Sequence, residues 1–238
     1  MAVKVRECRA RVSAVRAPAP DVLEADLDMV DPPALEFEAG QWVSVPFGPK
    51  TVRAYSIASP PSLLAASARV TLCADVAPDG LGSRWFRDLQ PGAEVRFKGP
   101  LGGFVWASAE PRRPLFVAEE IGIVPIRSML GWLAVRGLDR PARLLHWARE
   151  PAGLVYATEL ASLARRVSGF AYDPVVRSAD AAWRGLRGEL VETVERLVTD
   201  VTGLVAYVAG GEATIHRVRA LLVARGMDRK AVKWERFW

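Results

Sequence analysis

Between residues 2 and 108, apolar and polar positions alternate in short runs broken by Pro and Gly, the pattern of half-buried antiparallel strands. Runs over residues 22–27, 42–47, 51–57, 69–76 and 93–97 read this way, and residues 83–89 form the one plausible helix of this half. After the charged, Pro-containing stretch at 109–114 the period changes. Short apolar runs at 115–118, 142–147, 169–176, 204–209 and 232–237 alternate with helix-period segments at 125–135, 158–167, 189–198 and 213–225. Such alternation predicts a parallel sheet covered on both faces. The expected fold is an N-terminal antiparallel β-barrel, residues 1–108, joined to a C-terminal α/β domain, residues 109–238, with a parallel five-stranded sheet. A ligand cleft is expected between them, beyond the carboxyl ends of the parallel strands.

Composition narrows the chemistry. The chain has 238 residues, 50% of them hydrophobic, enough to bury a real core and too many for a disordered chain. Acidic and basic residues interrupt every long apolar run, and residues 1–11 carry no apolar signal core, so a soluble cytoplasmic protein without membrane insertion is expected. Cys8 and Cys73 are the only cysteines, which excludes a disulfide framework and a four-thiolate cluster. His146 and His216 are the only histidines, and with no close Cys/His/carboxylate cluster a metal site is not expected. Redox chemistry would therefore need an organic cofactor. The net charge of +5 comes from 27 Arg and 5 Lys against 27 acidic residues. The arginines are scattered and form no basic block, so nucleic acid is not an expected partner.

Two segments carry candidate chemistry. In Arg53-Ala54-Tyr55-Ser56 an extended strand puts Arg53 and Tyr55 on one face, with Ser56 alongside. A guanidinium suits a phosphate and a phenol ring suits a flat heterocycle. In Gly80-Leu81-Gly82-Ser83 two glycines and a serine open the helix of the barrel half, where free amides bind anions. Each segment also has an ordinary reading: a barrel strand, and a turn with Ser83 as N-cap.

These segments, followed in order by Pro91-Gly92-Ala93-Glu94-Val95, Gly99-Pro100-Leu101-Gly102-Gly103-Phe104, Gly122-Ile123-Val124-Pro125 and Tyr207-Val208-Ala209-Gly210, resemble the ferredoxin–NADP reductase family over nearly the whole chain. The resemblance implies a barrel that binds FAD, or less often FMN, and a domain that delivers a hydride from NAD(P)H. Arg53 would hold the flavin phosphates, Tyr55 would stack on the ring, Ser56 would bond near its reactive nitrogen, and Gly80, Gly82 and Ser83 would receive the diphosphate. Phe237 and Trp238, ending the chain, would cover a face of the flavin, which places Trp238 with Tyr55 and Ser56 at the reacting ring.

The nucleotide half departs from the family pattern. Glu119-Glu120-Ile121 precede Gly122 where the family usually has Gly-Gly-Thr, and carboxylates there would repel a diphosphate by about 4 kcal/mol per like-charge pair at ~4 Å and an effective dielectric near 20. Gly210-Gly211 lack the usual cysteine, and Trp147 could fill nucleotide space. Arg149 and Arg177 stay available for a phosphate. Three readings follow. The first is a reductase moving electrons between NAD(P)H and a small redox protein or small-molecule acceptor. The second is a flavoprotein that has lost the pyridine nucleotide, and the third a non-catalytic subunit of an electron-transfer complex.

Overall fold

The computed structural model describes residues 4–62, 66–107 and 109–237. Two compact units divide the chain. One comprises residues up to Trp106 together with Arg127–Trp132, and the other Ala107–Ile126 together with residues from Leu133 onward.

The first unit is built on β1 (Arg6–Ala19), β2 (Val22–Asp31), β3 (Trp42–Pro46), β4 (Val52–Ser56), β5 (Arg69–Asp75) and β6 (Glu94–Leu101), with α1 (Leu81–Asp88) between the last two strands. All pairings are antiparallel, in the order β4-β3-β6-β1-β2-β5. The two end strands meet through a bridge between Ile57 and Leu72, which closes the barrel. Alternation delivers Leu27, Val43, Ile57, Leu72, Val95 and Phe97 to one continuous core. Each fully buried Leu or Ile side chain there contributes about 1.5–3 kcal/mol.

β2 carries two buried charges on the face opposite the core residues Ala25 and Leu27. Glu24 and Asp26 are buried, and one guanidinium serves both: Arg16 lies 2.6 Å from Glu24 Oε1 and 2.7 Å from Asp26 Oδ2. Thr71 donates its hydroxyl to Asp26 at 2.8 Å. Burial works to raise the Asp26 carboxyl, but hydrogen bonds from Arg16 and Thr71 outweigh it and hold the group below its ordinary value.

The second unit contains β7 (Arg113–Glu119), β8 (Ala142–Ala148), β9 (Phe170–Val176), β10 (Leu186–Arg187), β11 (Leu204–Gly210) and β12 (Val232–Arg236). These strands pair in parallel throughout, in the order β10-β9-β8-β7-β11-β12. Helices α3 (Ala157–Arg166), α4 (Leu190–Leu197) and α5 (Glu212–Ala224) alternate with them, and α2 (Ile123–Arg136) follows β7. Near-continuous burial along β7 and β11 reflects a sheet covered on both faces. The sheet has six strands rather than the expected five. The additional strand, β10, pairs through only two residues and lies beyond the Trp- and Gly-containing stretch 177–185, too short to show a period of two.

The sheet order reverses at β7, since β8, β9 and β10 extend to one side and β11 and β12 to the other. Among the described residues no helix is long and apolar enough to cross a membrane.

Candidate functional site

The barrel part of the site is an edge strand facing a helix start. In β4, Val52, Arg53 and Ala54 are exposed while Tyr55 and Ser56 are buried. A Cβ built at Gly82 would stand 2.6 Å from Tyr55 Oη and 3.5 Å from Arg53 Cγ, so Arg53, Tyr55 and Gly82 converge on one face. A Cβ at Gly80 would meet nothing within 4 Å, so only the second glycine is required sterically. Gly80 is the N-cap of α1, no side chain caps that helix, and its first turn carries no acid. Ser83 lies inside the helix and is buried, so it is not the N-cap of the ordinary reading.

Tyr55 differs from expectation in one respect. Its ring is 8% exposed and packs against Trp85 (5.4 Å between centroids, 35°) and Phe86 (5.5 Å, 55°), so the residue does not present an open face. Aromatic packing of this kind stabilises the barrel and holds the ring in place. Its hydroxyl is buried without a hydrogen-bond partner among the described residues. Burial raises its pKa to about 12, against a smaller opposing effect of Arg53. An orphaned buried hydroxyl costs roughly 1–3 kcal/mol, which a ligand atom able to accept from it would recover. Arg53 donates from Nη1 to the Val52 carbonyl at 2.8 Å and is paired with no carboxylate among the described residues. An unpaired guanidinium, a glycine with no room for a side chain and an uncapped helix start suit a phosphate-bearing cofactor with a flat ring.

In the parallel-sheet unit, the end of β7 and the turn after it hold the carboxylates Glu119 and Glu120. Glu120 has φ +48, a left-handed conformation rarely adopted outside glycine and costing roughly 1 kcal/mol or more. Ile121 is buried. Gly122 is required, because a Cβ there would approach the Ala209 carbonyl oxygen to 2.3 Å. Although both acids closely precede α2 in sequence, Glu119 reaches the start of α5. Its Oε2 accepts from the Gly211 amide at 2.8 Å and its Oε1 from the Thr214 hydroxyl at 2.9 Å. Side chains alternate along β7, and Glu119 shares the α5-facing side with Leu115 and Val117 of that unit's core.

Trp147 is buried in the same core and donates Nε1–H to the Gly188 carbonyl at 2.9 Å. Arg177 lies over its ring, 5.1 Å from the centroid, and pairs with Glu189 through two hydrogen bonds of 2.7 and 3.1 Å. The Glu189 hydrogen bonds raise the Arg177 pKa, and the charges of Glu189, Glu120 and Glu119 add to it. Arg149 is exposed and unpaired among the described residues, and its carbonyl accepts from the Ser178 amide at 3.0 Å. Phe237 donates its amide to the Gly210 carbonyl at 3.0 Å, while Trp238 lies outside the described residues. Next to Trp147 in sequence, His146 is fully buried, with Nδ1 3.4 Å from the Tyr172 hydroxyl and Nε2 without a hydrogen-bond partner among the described residues. Burial lowers its pKa to about 4, outweighing an opposing effect of the Glu120 backbone.

Sequence reasoning missed Trp85, Glu189 and Thr214. Thr214 had a readable signal, a hydroxyl three residues after a Gly-Gly pair that opens a helix; the partnerships of Trp85 and Glu189 are long-range and had none.

An antiparallel barrel with an anion-ready helix start, and a doubly covered parallel sheet, define the class of two-unit flavin-dependent oxidoreductases. Residues 10–106 match the family model described as oxidoreductase FAD-binding domain. Ferredoxin–NADP reductase B of Sorangium cellulosum is 33% identical over 245 residues, covering 99% of this chain and 99% of that protein. The reductase component of propane 2-monooxygenase from Gordonia sp. is 25% identical, covering 98% of this chain and 68% of its own. Among solved structures, the Amycolatopsis cytochrome P450 reductase GcoB has a TM-score of 0.88 at 24% identity, covering 100% of this chain and 71% of that one. A ferredoxin NADP+ reductase from Neisseria gonorrhoeae, solved with bound FAD and NADP, has a TM-score of 0.78 at 18% identity and covers 99% of both chains. The chain belongs to the ferredoxin–NADP reductase family and is a flavin-dependent oxidoreductase.

Proposed function

We propose that this protein is a FAD-dependent reductase that moves electrons between NAD(P)H and a one-electron carrier, a small redox protein of the ferredoxin kind or an oxygenase component, in the cytoplasm. The observation that carries the cofactor assignment is the convergence of Arg53, the orphaned Tyr55 hydroxyl and Gly82 at the uncapped start of α1. Bound FAD supplies the conversion between two-electron hydride chemistry and single-electron transfer.

The chain's own part is to bind and orient. Arg53 supplies a fixed positive charge for the cofactor phosphates, and the amides around Gly82 and Ser83 supply donors for the diphosphate. Tyr55 offers a hydroxyl donor from a ring that Trp85 and Phe86 keep from turning, and Ser56 follows it on the strand. By the family resemblance, covering the reacting ring falls to Phe237 and Trp238. Arg149 and Arg177 supply positive charge for the pyridine nucleotide. The names of the relatives, ferredoxin–NADP reductase and monooxygenase reductase components, support this reading over a flavoprotein without nucleotide or a non-catalytic subunit.

Anaerobic titration is the test. The purified protein is expected to be yellow, to release FAD on denaturation, and to lose its visible flavin band slowly and with weak saturation on addition of NADH or NADPH. A protein that gains no flavin absorbance after incubation with FAD or FMN would refute the assignment.

A further inference from the structure

In parallel sheets of this kind a ligand enters the crevice at the carboxyl ends of the strands flanking the reversal of order. Here those strands are β7 and β11, and their last residues are Glu119 and Gly210. The chain has placed a carboxylate of its own in that crevice. Glu119 bonds the Gly211 amide and the Thr214 hydroxyl with its two oxygens. Gly210 makes the room: a Cβ there would lie 2.6 Å from Glu119 Cβ and 2.8 Å from its Oε2. Gly211 is the N-cap of α5 and Thr214 lies in its first turn, so the carboxylate meets the positive end of a 13-residue helix.

We propose that Glu119 is an internal anion standing where the diphosphate of the pyridine nucleotide binds, so that nucleotide affinity is set by the displacement of Glu119 from Gly211 and Thr214. This rests on NAD(P)H being the electron donor. An arriving diphosphate needs the donors that Glu119 already holds, and it must enter beside Glu120 as well. Arg177 compensates only in part, because Glu189 engages its guanidinium through two hydrogen bonds. The diphosphate is common to NADH and NADPH, so Glu119 lowers affinity for both by one factor and leaves the choice between them unchanged. Glu119 is thus an affinity-determining residue and not a catalytic one.

The FAD-loaded protein and its E119A and T214V variants would be titrated calorimetrically with NAD+ and NADP+. Inorganic pyrophosphate would be followed through the Gly211 amide resonance. E119A is expected to tighten both dinucleotides equally, by about tenfold, equivalent to 1.4 kcal/mol. Pyrophosphate is expected to move the Gly211 resonance in E119A and not in the unmodified protein. T214V, which keeps the charge and removes one of its two bonds, is expected to give a smaller gain; it also provides the readout if E119A folds poorly. Unchanged or weaker dinucleotide affinity together with an unmoved Gly211 resonance in both variants would overturn the assignment of Glu119. A pyrophosphate response in E119A, with neither dinucleotide binding any form, would uphold Glu119 as the internal anion and refute NAD(P)H as donor.

Discussion

At the residue scale, Tyr55 and Gly82 make opposite demands with and without cofactor. Tyr55→Phe removes an unpartnered buried hydroxyl, so the cofactor-free protein should gain about 1 kcal/mol in urea unfolding. FAD affinity should fall in the same variant, because the cofactor then finds no donor there; an unchanged FAD dissociation constant in a fluorescence titration would contradict this. Gly82→Ala brings a methyl group into the 2.6 Å approach of Tyr55 Oη. Its expected outcome is at least tenfold weaker FAD retention, measured by equilibrium dialysis. Gly80→Ala, with open space around it, serves as the comparison and should bind FAD nearly as well as the unmodified chain.

At the scale of elements, β8 hides a titration. His146 is fully buried and its pKa is depressed from 6.5 to about 4, chiefly by desolvation. A folded-state value below the unfolded one means that the stability is complete above pH 6.5 and drains away as pH falls toward 4. A shift of that size corresponds to about 3 kcal/mol. Chemical denaturation of the parallel-sheet unit should therefore steepen its loss of stability across that window, and His146→Phe should flatten it. Equal slopes for the two proteins between pH 6.5 and 4 would remove His146 as the cause.

For the molecule as a whole, separate hydrophobic cores serve the two units. Binding stabilises only the part that binds, so FAD at a hundredfold excess over its dissociation constant should add about 2.7 kcal/mol to the barrel transition. NADP+ should act on the other unit. Differential scanning calorimetry with each ligand in turn checks this, and a single transition shifted equally by both would show that the cores unfold as one.

Periodicity alone determined most elements, because period-two runs such as Glu94–Leu101 and helical runs such as Glu212–Ala224 encode in sequence which face is buried. Alternation after residue 114 likewise required a parallel sheet. Arg53, Tyr55 and Gly82 could be singled out as residue types suited to a phosphate and a ring. Only the tertiary structure decided that Trp85 covers the Tyr55 ring, that Leu186–Arg187 forms a sixth strand, and that Glu119 reaches from the end of its own strand to the start of a helix 92 residues further on. Those outcomes depend on which groups meet through space and on where an unsatisfied amide lies within reach of a carboxylate, and neither is written in the order of the residues.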